Sequence, residues 1–444
     1  MNYSCRHLFS APFVIGLFLG VVFLAGEEVS VEWEEPVVVD EGEAFIGPWR
    51  MNESDFRYVD DPTAVLRESG EVGMVWVDQS RQDVLFQRFD SGNQPEFDEP
   101  VNVSNSPDIF SWLPRIVMLP RDGEPDQVFV LWQEIVFSGG SHGGEIFFAR
   151  STDGGRNFEE PVNLSQTTAG AGKGRVSEDS WHNGSLDLAI NDEGDILAVW
   201  TEYEGALRFS RSTDGGKSFS DPLHIAGDGQ EPARGPDMAV GPDNHIHLVW
   251  TVGEDPAADI RYAVSQDGGE SFTQPSTTGE TSGRADAPVV EVDPSGTVHL
   301  VYAIHADRGE GSATLWYARR ADGEETFAEA REITSPLPAN FSGMGFPSMT
   351  LGKGPDDIHI VGLLFQGGER RPVALGWMSS SDGGETFTTP KALAEVPEDG
   401  VIHGGFQGLF RNKVSVNNEG EVVVSHSLYH HGDFSQILLL RGRL

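Results

Sequence analysis

The chain has 444 residues, enough for two or three ordinary domains or for one large repeat architecture. Hydrophobic residues make up 38% of it and aromatic residues 10%, which excludes a disordered chain. Acidic residues number 70 and basic residues 30, and the resulting net charge of -40 repels phosphate backbones, so nucleic-acid binding is excluded as a function.

The first 26 residues have the features of an export signal. Arg6 and His7 precede an apolar run from Phe13 to Leu24, which has the length of a signal peptide and is short for a membrane span. Bulky residues stand where a cleavage site prefers a small one, so an uncleaved N-terminal membrane tether is the alternative. We expect residues 1–26 to be a signal peptide or anchor and residues 27–444 to form one domain. The protein is then secreted, periplasmic or on the outer cell surface.

An eight-residue phrase recurs along the rest of the chain, with the pattern Ser-x-Asp-x-Gly-x-x-Phe. Its aspartates are spaced by 53 to 63 residues, the first copy is weak, and the fifth has Arg320 in place of the serine. The aspartates of the six copies are Asp90, Asp153, Asp214, Asp267, Asp322 and Asp382. An Asp that accepts backbone hydrogen bonds, followed by glycines that can take positive φ, predicts a hairpin turn at each copy.

The turns divide the chain into units of four short strands, which is the content of one propeller blade. The second strands lie near residues 75, 131, 199, 249, 301, 361 and 423, which gives seven units. The last unit lacks a fourth strand, and the segment from Trp33 to Val39 resembles the strand that follows the turn at Asp153. We therefore predict an all-β propeller of seven four-stranded blades, closed into a ring by this N-terminal strand. A six-bladed ring is the alternative.

The recurring phrase resembles the Asp-box, or BNR, repeat of the sialidase-like propellers, and the resemblance covers nearly the whole chain after residue 26. It implies that the aspartates form turns between the third and fourth strands, on the face away from the usual site. It also implies a glycoside hydrolase acting on anionic, sialic-acid-type sugars, with a glycan as partner.

The opposite face has the longer and more varied connections, and it is where we expect a site. Several arginines stand at or just before the inner strands on that face: Arg57, Arg115, Arg175, Arg234 and Arg284. By position, the resemblance makes Arg57, Arg234 and Arg284 the triad that grips a substrate carboxylate, with Arg115 as a further substrate-binding residue. Guanidinium groups suit this role because they bind carboxylates through two parallel hydrogen bonds.

An alternative role for these arginines is structural. Arg234 lies close in sequence to Asp237, and Arg284 lies close to Asp286. Ion pairs of this kind recur in repeat proteins and need no substrate.

The same resemblance implies an acid/base Asp and a Tyr nucleophile that a Glu activates. Asp78 stands in an early loop where the acid is expected. Tyr429 lies in a late second-to-third connection and is the candidate nucleophile. Glu204, which follows Tyr203 in an earlier blade, is the candidate carboxylate partner.

Several histidines also fall in predicted connections of that face: His142, His182, His305, His403, His430 and His431. They show no regular ligand spacing, and Cys5 precedes the apolar run, so we predict no metal site and no cofactor. We expect a monomer. Two other functions stay open beside the sialidase-like hydrolase: a non-catalytic propeller that binds glycan or protein, and a polysaccharide lyase or other hydrolase that uses His and Tyr.

Overall fold

A computed structural model of the chain describes residues 31–136, 144–167, 169–279, 283–305, 313–367, 371–393, 401–404 and 411–444. The predicted signal or anchor segment and His142 lie outside these residues. The described residues form strands, turns and loops, and none of them builds a helix that could cross a membrane.

The strands, in chain order, are β1 (Glu32–Trp33), β2 (Val37–Gly42), β3 (Phe45–Ile46), β4 (Phe56–Arg57), β5 (Val59–Leu66), β6 (Val72–Asp78), β7 (Asp83–Phe89), β8 (Val101–Asn102), β9 (Ser111–Leu119), β10 (Gln127–Glu134), β11 (Glu145–Ser151), β12 (Val162–Asn163), β13 (Lys173–Ser177), β14 (Ser180–Asn183), β15 (Leu186–Ile190), β16 (Ile196–Thr201), β17 (Leu207–Ser212), β18 (Leu223–Ala226), β19 (Ala233–Val240), β20 (Ile246–Val252), β21 (Asp259–Ser265), β22 (Ser276–Thr277), β23 (Arg284–Val292), β24 (Val298–His305), β25 (Ala313–Arg320), β26 (Arg331–Glu332), β27 (Gly343–Leu351), β28 (Ile358–Phe365), β29 (Pro372–Ser380), β30 (Lys391–Ala392), β31 (Ile402–His403), β32 (Val414–Val416), β33 (Glu421–His430) and β34 (Phe434–Arg443).

These strands form seven antiparallel blades in a ring, which confirms the predicted propeller and its blade count. Blades 1 to 6 are β5–β8, β9–β12, β15–β18, β19–β22, β23–β26 and β27–β30, each with its strands paired in chain order. Each second strand lies where the sequence predicts it, and tryptophans on four of them are fully buried: Trp76, Trp132, Trp200 and Trp250.

Blade 7 closes the ring with strands from both ends of the chain. It contains β32, β33 and β34, and β34 pairs on its other side with β1 and β2. Trp33 of β1 packs edge-on against Trp377 of blade 6, with ring centroids 5.5 Å apart. The predicted closure by the N-terminal strand is therefore confirmed, and it removes the exposed edge that β34 would otherwise present.

The repeated Asp phrases are tight turns between the third and fourth strands. In the copy at Asp153, Ser151 Oγ donates to the carboxylate at 2.8 Å, the Asn157 N–H donates to it at 3.0 Å, and the Gly155 N–H donates to Ser151 Oγ at 2.9 Å. The copies at 214, 267 and 382 repeat these bonds. In the five copies from Asp153 onward, the phenylalanine packs on an aromatic ring of the preceding blade, as Phe158 does on Phe86 with ring centroids 5.6 Å apart.

The inner strands share a bulge that the sequence analysis did not predict. A register shift occurs in five of them next to a proline, and the residue before that proline has positive φ. These pairs are Asp61-Pro62, Leu113-Pro114, Gly235-Pro236, Ala287-Pro288 and Phe346-Pro347. A proline has no N–H to donate to a sheet ladder, so an inner strand tolerates one at a bulge. At four of the five bulges a carbonyl group accepts a hydrogen bond from a buried arginine or lysine.

Buried cations occupy the axis and bind those carbonyls. Arg115 Nη1 donates to Pro114 O at 3.0 Å, and Arg411 Nη2 donates to Gly235 O at 2.9 Å. Asp237 lies 3.4 Å from Arg411 and accepts the Val290 N–H at 2.8 Å, which ties blade 4 to blade 5. The charged axis thus joins blades at the centre of the ring.

The two faces of the ring differ as predicted. We call the face that carries the Asp turns the turn face, and the face that carries the fourth-to-first and second-to-third connections the loop face. The connection from 165 to 184, between blades 2 and 3, contains the hairpin β13–β14. This hairpin stands on the loop face beside blade 4.

Candidate functional site

Two arginines and two aspartates form an ion-pair network on the loop face of blades 4 and 5. Arg234 Nη2 lies 2.9 Å from Asp255 Oδ1, and Arg284 Nε lies 2.7 Å from Asp255 Oδ2. Both guanidinium groups also lie 3.5 Å from Asp286 Oδ2. We call these four residues the Arg–Asp network.

The fold explains why these residues meet. Arg234 and Arg284 stand at the start of neighbouring inner strands, just ahead of the bulges, and Asp255 follows β20 in the connection to β21. The hairpin β13–β14 covers Arg234, which donates to Gly253 O at 2.5 Å and to Arg175 O at 3.3 Å. The side chain of Arg234 is consequently 2% exposed, whereas that of Arg284 is 17% exposed. Arg284 is the cation of the network that a ligand can reach.

Two histidines lie beside the network. His182 is on β14, and His305 ends β24 directly opposite Arg284 in the register. Burial lowers the pKa of both imidazoles, and for each the nearby Asp286 charge opposes that shift while the Arg284 charge adds to it. Both side chains are therefore neutral imidazoles at neutral pH and can accept a proton.

Asp286 behaves as a fixed anion. Its burial would raise the pKa of its carboxyl, but the positive charges of Arg234 and Arg284 hold that pKa well below the usual range. Thr251 Oγ1 also donates to it at 3.1 Å. The carboxyl group of Asp286 is thus ionised and cannot serve as a proton donor near neutral pH.

An aromatic contact supports the hairpin β13–β14 on the side away from the Arg–Asp network. Trp181 stacks on Tyr203 with ring centroids 4.4 Å apart, and its indole N–H donates to the Tyr203 carbonyl at 3.3 Å. Burial raises the pKa of Tyr203 to about 12, so its hydroxyl stays protonated. Successive strand residues point to opposite sides of a hairpin, which places His182 on the side away from this stack.

The structure separates the predicted substrate-binding arginines into three places. Arg234 and Arg284 come together in the Arg–Asp network. Arg57 instead pairs with Glu43 at 2.6 Å and with Asp55 at 3.1 Å. Arg115 lies in the axis, 1% exposed, where burial lowers its pKa to about 10 against the opposing charges of Asp187 and Asp61.

The alternative prediction, that Arg234 and Arg284 form structural ion pairs with nearby aspartates, is confirmed for one of the two predicted pairs. Arg284 pairs with Asp286, as its sequence neighbourhood indicates. Asp237 contacts Arg411 in the axis, and the ion-pair partners of Arg234 among the described residues are Asp255 and Asp286.

The predicted catalytic residues lie in other blades. Asp78, in blade 1, accepts the Ser80 N–H at 2.9 Å and pairs with Arg81 at 3.0 Å. Tyr429, in blade 7, is buried with its ring edge-on to Tyr58 at 5.9 Å. Glu204 is exposed in the connection between β16 and β17. Their proposed roles stay predictions.

Asp255 was missed by the sequence analysis, and His182 and His305 were noted without a role. The signal for His305 is its place at the end of a second strand, opposite a predicted site arginine. Asp255 lies in blade 4, in the connection from the second to the third strand, and Arg284 lies in blade 5. The packing of these two blades brings the residues together, and the sequence does not show this packing. Among the described residues, no group of three or more histidine, cysteine or carboxylate side chains is placed to hold a metal ion.

Comparisons with known proteins identify similar folds and no family. No family model and no curated relative matches the sequence. An ulvan lyase of polysaccharide lyase family PL25, solved with -[GlcA(1-4)Rha3S]- bound, superposes with a TM-score of 0.58 at 11% identity, covering 91% of this chain and 95% of that one. The polysaccharide lyase Uly1 has a TM-score of 0.55 at 12% identity, with 93% and 99% covered.

An alpha-L-arabinanase of Penicillium chrysogenum, complexed with arabinobiose, has a TM-score of 0.45 at 12% identity, covering 80% of this chain and 100% of that one. At these identities the likenesses show the fold alone. The resemblance of the Asp turns to the sialidase repeat stays a prediction.

Proposed function

We propose that this protein is a carbohydrate-active enzyme that cleaves a uronate-containing polysaccharide by β-elimination at the Arg–Asp network. The observation that carries the proposal is the pair of neutral imidazoles beside a partly exposed guanidinium. A β-elimination needs these two kinds of group, a base for the proton at C5 and a cation for the uronate carboxylate that acidifies this proton. The two polysaccharide lyases of similar fold support the choice of reaction class.

The reaction assigns a role to each group. Within the described residues the ion pairs of Arg284 use Nε and Nη2, and Nη1 is the nitrogen that we assign to the substrate carboxylate. An imidazole takes the proton from C5, the C–H electron pair forms the C4=C5 double bond, and the bond from C4 to the glycosidic oxygen breaks. The imidazolium then returns its proton to the leaving oxygen.

His182 is our first choice for this base. Its side chain is partly exposed on the loop face, whereas Nε2 of His305 is buried and has no hydrogen-bond partner in the described part of the chain. Burial keeps both imidazoles neutral. Asp255 holds Arg284 in place.

A two-carboxylate glycosidase fits this cluster less well. Such an enzyme needs one protonated carboxyl group as general acid. Asp286 is held ionised by its neighbours, and Asp255 is bound by two guanidinium groups.

The sialidase reaction is the second candidate, because Arg234 and Arg284 together also suit a sialic-acid carboxylate. Its nucleophile and acid would be Tyr429 and Asp78, which lie in blades 7 and 1, whereas the network lies in blades 4 and 5. Export, predicted from residues 1–26, suits either reaction because both substrates are extracellular glycans.

The test is an absorbance assay with uronate-containing polysaccharides. Elimination creates a double bond conjugated to the carboxylate, which absorbs in the ultraviolet, and hydrolysis does not. We expect the parent to produce this absorbance and His182→Ala to lose it, with His224→Ala, an exposed histidine on β18, as the matched control. Release of free sialic acid without new absorbance would favour the second candidate, and binding without any product would leave a glycan-binding propeller.

A further inference from the structure

An exposed aromatic patch lies on the loop face, across the ring from blade 5. Five large hydrophobic side chains of the described residues are exposed, and three of them belong to one segment: Phe45 at 36%, Trp49 at 50% and Met51 at 41%. This segment runs from β3 to β4, between the closing strand β2 and blade 1, and belongs to no blade. Trp49 stacks on Phe56 at 6.0 Å with an interplanar angle of 26° and contacts Trp112 at 5.7 Å.

The segment is fixed in position although its aromatic face is open. The Asn52 side chain donates to Ile135 O at 2.9 Å and accepts the Phe110 N–H at 3.1 Å. Gln82 donates to Asn52 O at 3.1 Å, and Ser54 Oγ accepts the Arg50 N–H at 2.6 Å. An exposed indole held by its own scaffold offers a flat surface that a ligand can use without an ordering cost.

A cation without a carboxylate partner borders the same patch. Lys173 begins β13, and its Nζ lies 5.9 Å from the centre of the Trp112 ring. The described residues give it no ion pair, although the chain has 70 acidic residues. Burial lowers the pKa of Lys173. A half-buried ammonium in this setting gains from an anionic ligand that restores a counter-charge.

Lys173 also connects the patch to the Arg–Asp network. The next residue, Gly174, lies opposite His182 in the hairpin and packs closely on the Cβ of Arg234. A sugar chain that extends from the network toward the patch therefore passes Lys173 before it reaches Trp49.

We propose that Trp49 and Lys173 form a second subsite for an anionic polysaccharide, in which Trp49 stacks on a sugar ring and Lys173 pairs with a sulfate or carboxylate of the same chain. The inference rests on the proposed function for the reaction that follows binding, and the subsite itself stands on the geometry of the patch. It extends the substrate requirement from one uronate to an anionic oligosaccharide that spans both places.

The experiment measures binding separately from cleavage. Oligosaccharides of the -[GlcA(1-4)Rha3S]- repeat and their desulfated forms are titrated by calorimetry into the full chain carrying His182→Ala, which removes the proposed base. Trp49→Ala and Lys173→Met are then added to that background. Trp49→Phe and Lys173→Arg are the conservative variants, and Val38→Ala and Lys217→Met are controls on the exposed surface elsewhere.

We expect Trp49→Ala and Lys173→Met each to weaken binding about tenfold, with the conservative variants closer to the parent and the controls unchanged. If Lys173→Met does not weaken binding of the desulfated oligosaccharide, the group that pairs with Lys173 is the sulfate. If Lys173→Met weakens binding of the desulfated form as well, that group is the carboxylate. Equal binding by the His182→Ala protein with and without Trp49→Ala or Lys173→Met would overturn the inference, as would no binding by the His182→Ala protein. Binding that depends on both residues, in a protein that produces no unsaturated product, would leave the subsite standing and reject the proposed function alone.

Discussion

Arg234 and Arg284 bind opposite oxygens of one carboxylate, that of Asp255, at 2.9 and 2.7 Å. They come from neighbouring blades, and the Asp255 side chain is only 3% exposed between them. This shared anion fixes the position of Arg284, whose partly exposed guanidinium we assign to the substrate.

Asp255→Asn should therefore reduce both stability and activity. Among the described residues it leaves the buried Arg234 and the partly exposed Arg284 with Asp286 as their remaining acidic partner. Breaking a buried ion pair typically costs about 3–5 kcal/mol of the free energy of unfolding. We expect turnover at a temperature where the variant is folded to fall about a hundredfold, because Arg284 loses its orientation. Glu43→Gln, which removes an exposed partner of Arg57, is the control. Full turnover by a folded Asp255→Asn variant would rule out the positioning role.

The acidic limb of the pH–activity profile should lie at low pH. Burial lowers the pKa of His182 and of His305, so the base stays neutral below the ordinary imidazole pKa of about 6.5 and becomes protonated only at lower pH. We expect kcat/KM to decline as the pH falls through that lowered pKa, with a midpoint below about 6.5. A midpoint above this value would contradict the assignment of either histidine as the base.

His426 should make the free energy of unfolding depend on pH. Burial, assisted by the nearby His403, lowers its pKa to about 3, whereas an unfolded histidine has a pKa of about 6.5. Between these values the unfolded state binds more protons, so stability is lost as the pH falls. Denaturant unfolding should show the parent losing about 1.4 kcal/mol per pH unit below pH 6 relative to His426→Gln. Parallel stability curves for the two proteins would contradict this.

The Asp turns offer a matched pair of glycines. Gly154 and Gly155 have φ of 79° and 89°, so alanine is strained at both. At Gly155 a Cβ would lie 2.0 Å from the Phe86 ring, whereas at Gly154 the nearest atom is 3.5 Å away. Gly155→Ala should lower the free energy of unfolding by about 1–3 kcal/mol more than Gly154→Ala, because the ring must move. Equal losses in the two variants would show that the ring contact carries no cost.

The buried axis should respond to the loss of a single cation. Arg411 donates to carbonyl groups of blades 4 and 5 and contacts Asp237. Burial raises the pKa of Asp237 to about 7, although the charge of Arg411 opposes that shift. Arg411→Met should lower the free energy of unfolding by about 3–5 kcal/mol, because these groups lose their partner. Adding Asp237→Asn should recover part of that loss in a thermal or denaturant melt. A melt of Arg411→Met that matches the parent would contradict a structural role for the axis.

The blade count was predictable because it depends on local rules that repeat. An Asp turn followed by a short strand recurs in six of the seven units, so the sequence reveals both the period and the missing fourth strand of the last blade. The Trp33 strand was recognisable for the same reason. The sequence shows Pro62 and its four counterparts, but the bulges beside them were not predicted, because the register shift and the positive φ follow from strand pairing.

The site was less predictable because it depends on packing between blades. Arg57, Arg115, Arg234 and Arg284 occupy similar places along the chain, yet one lies on an outer hairpin, one in the axis and two in the network. Arg234 and Arg284 precede the bulges of their inner strands, Arg115 follows the bulge of its strand, and Arg57 lies on β4 outside the blades. Asp255 reaches Arg284 only because blade 4 packs against blade 5.

The mass of the reaction products tests the central claim most directly. Elimination at the Arg–Asp network yields a new chain end that lacks the elements of water relative to a hydrolysis product, and mass spectrometry of digested uronate oligosaccharides separates the two. We predict unsaturated products from the parent and from His224→Ala, and none from His182→Ala. Saturated products of full hydrolytic mass, formed by the parent and by His182→Ala alike, would contradict the proposed reaction.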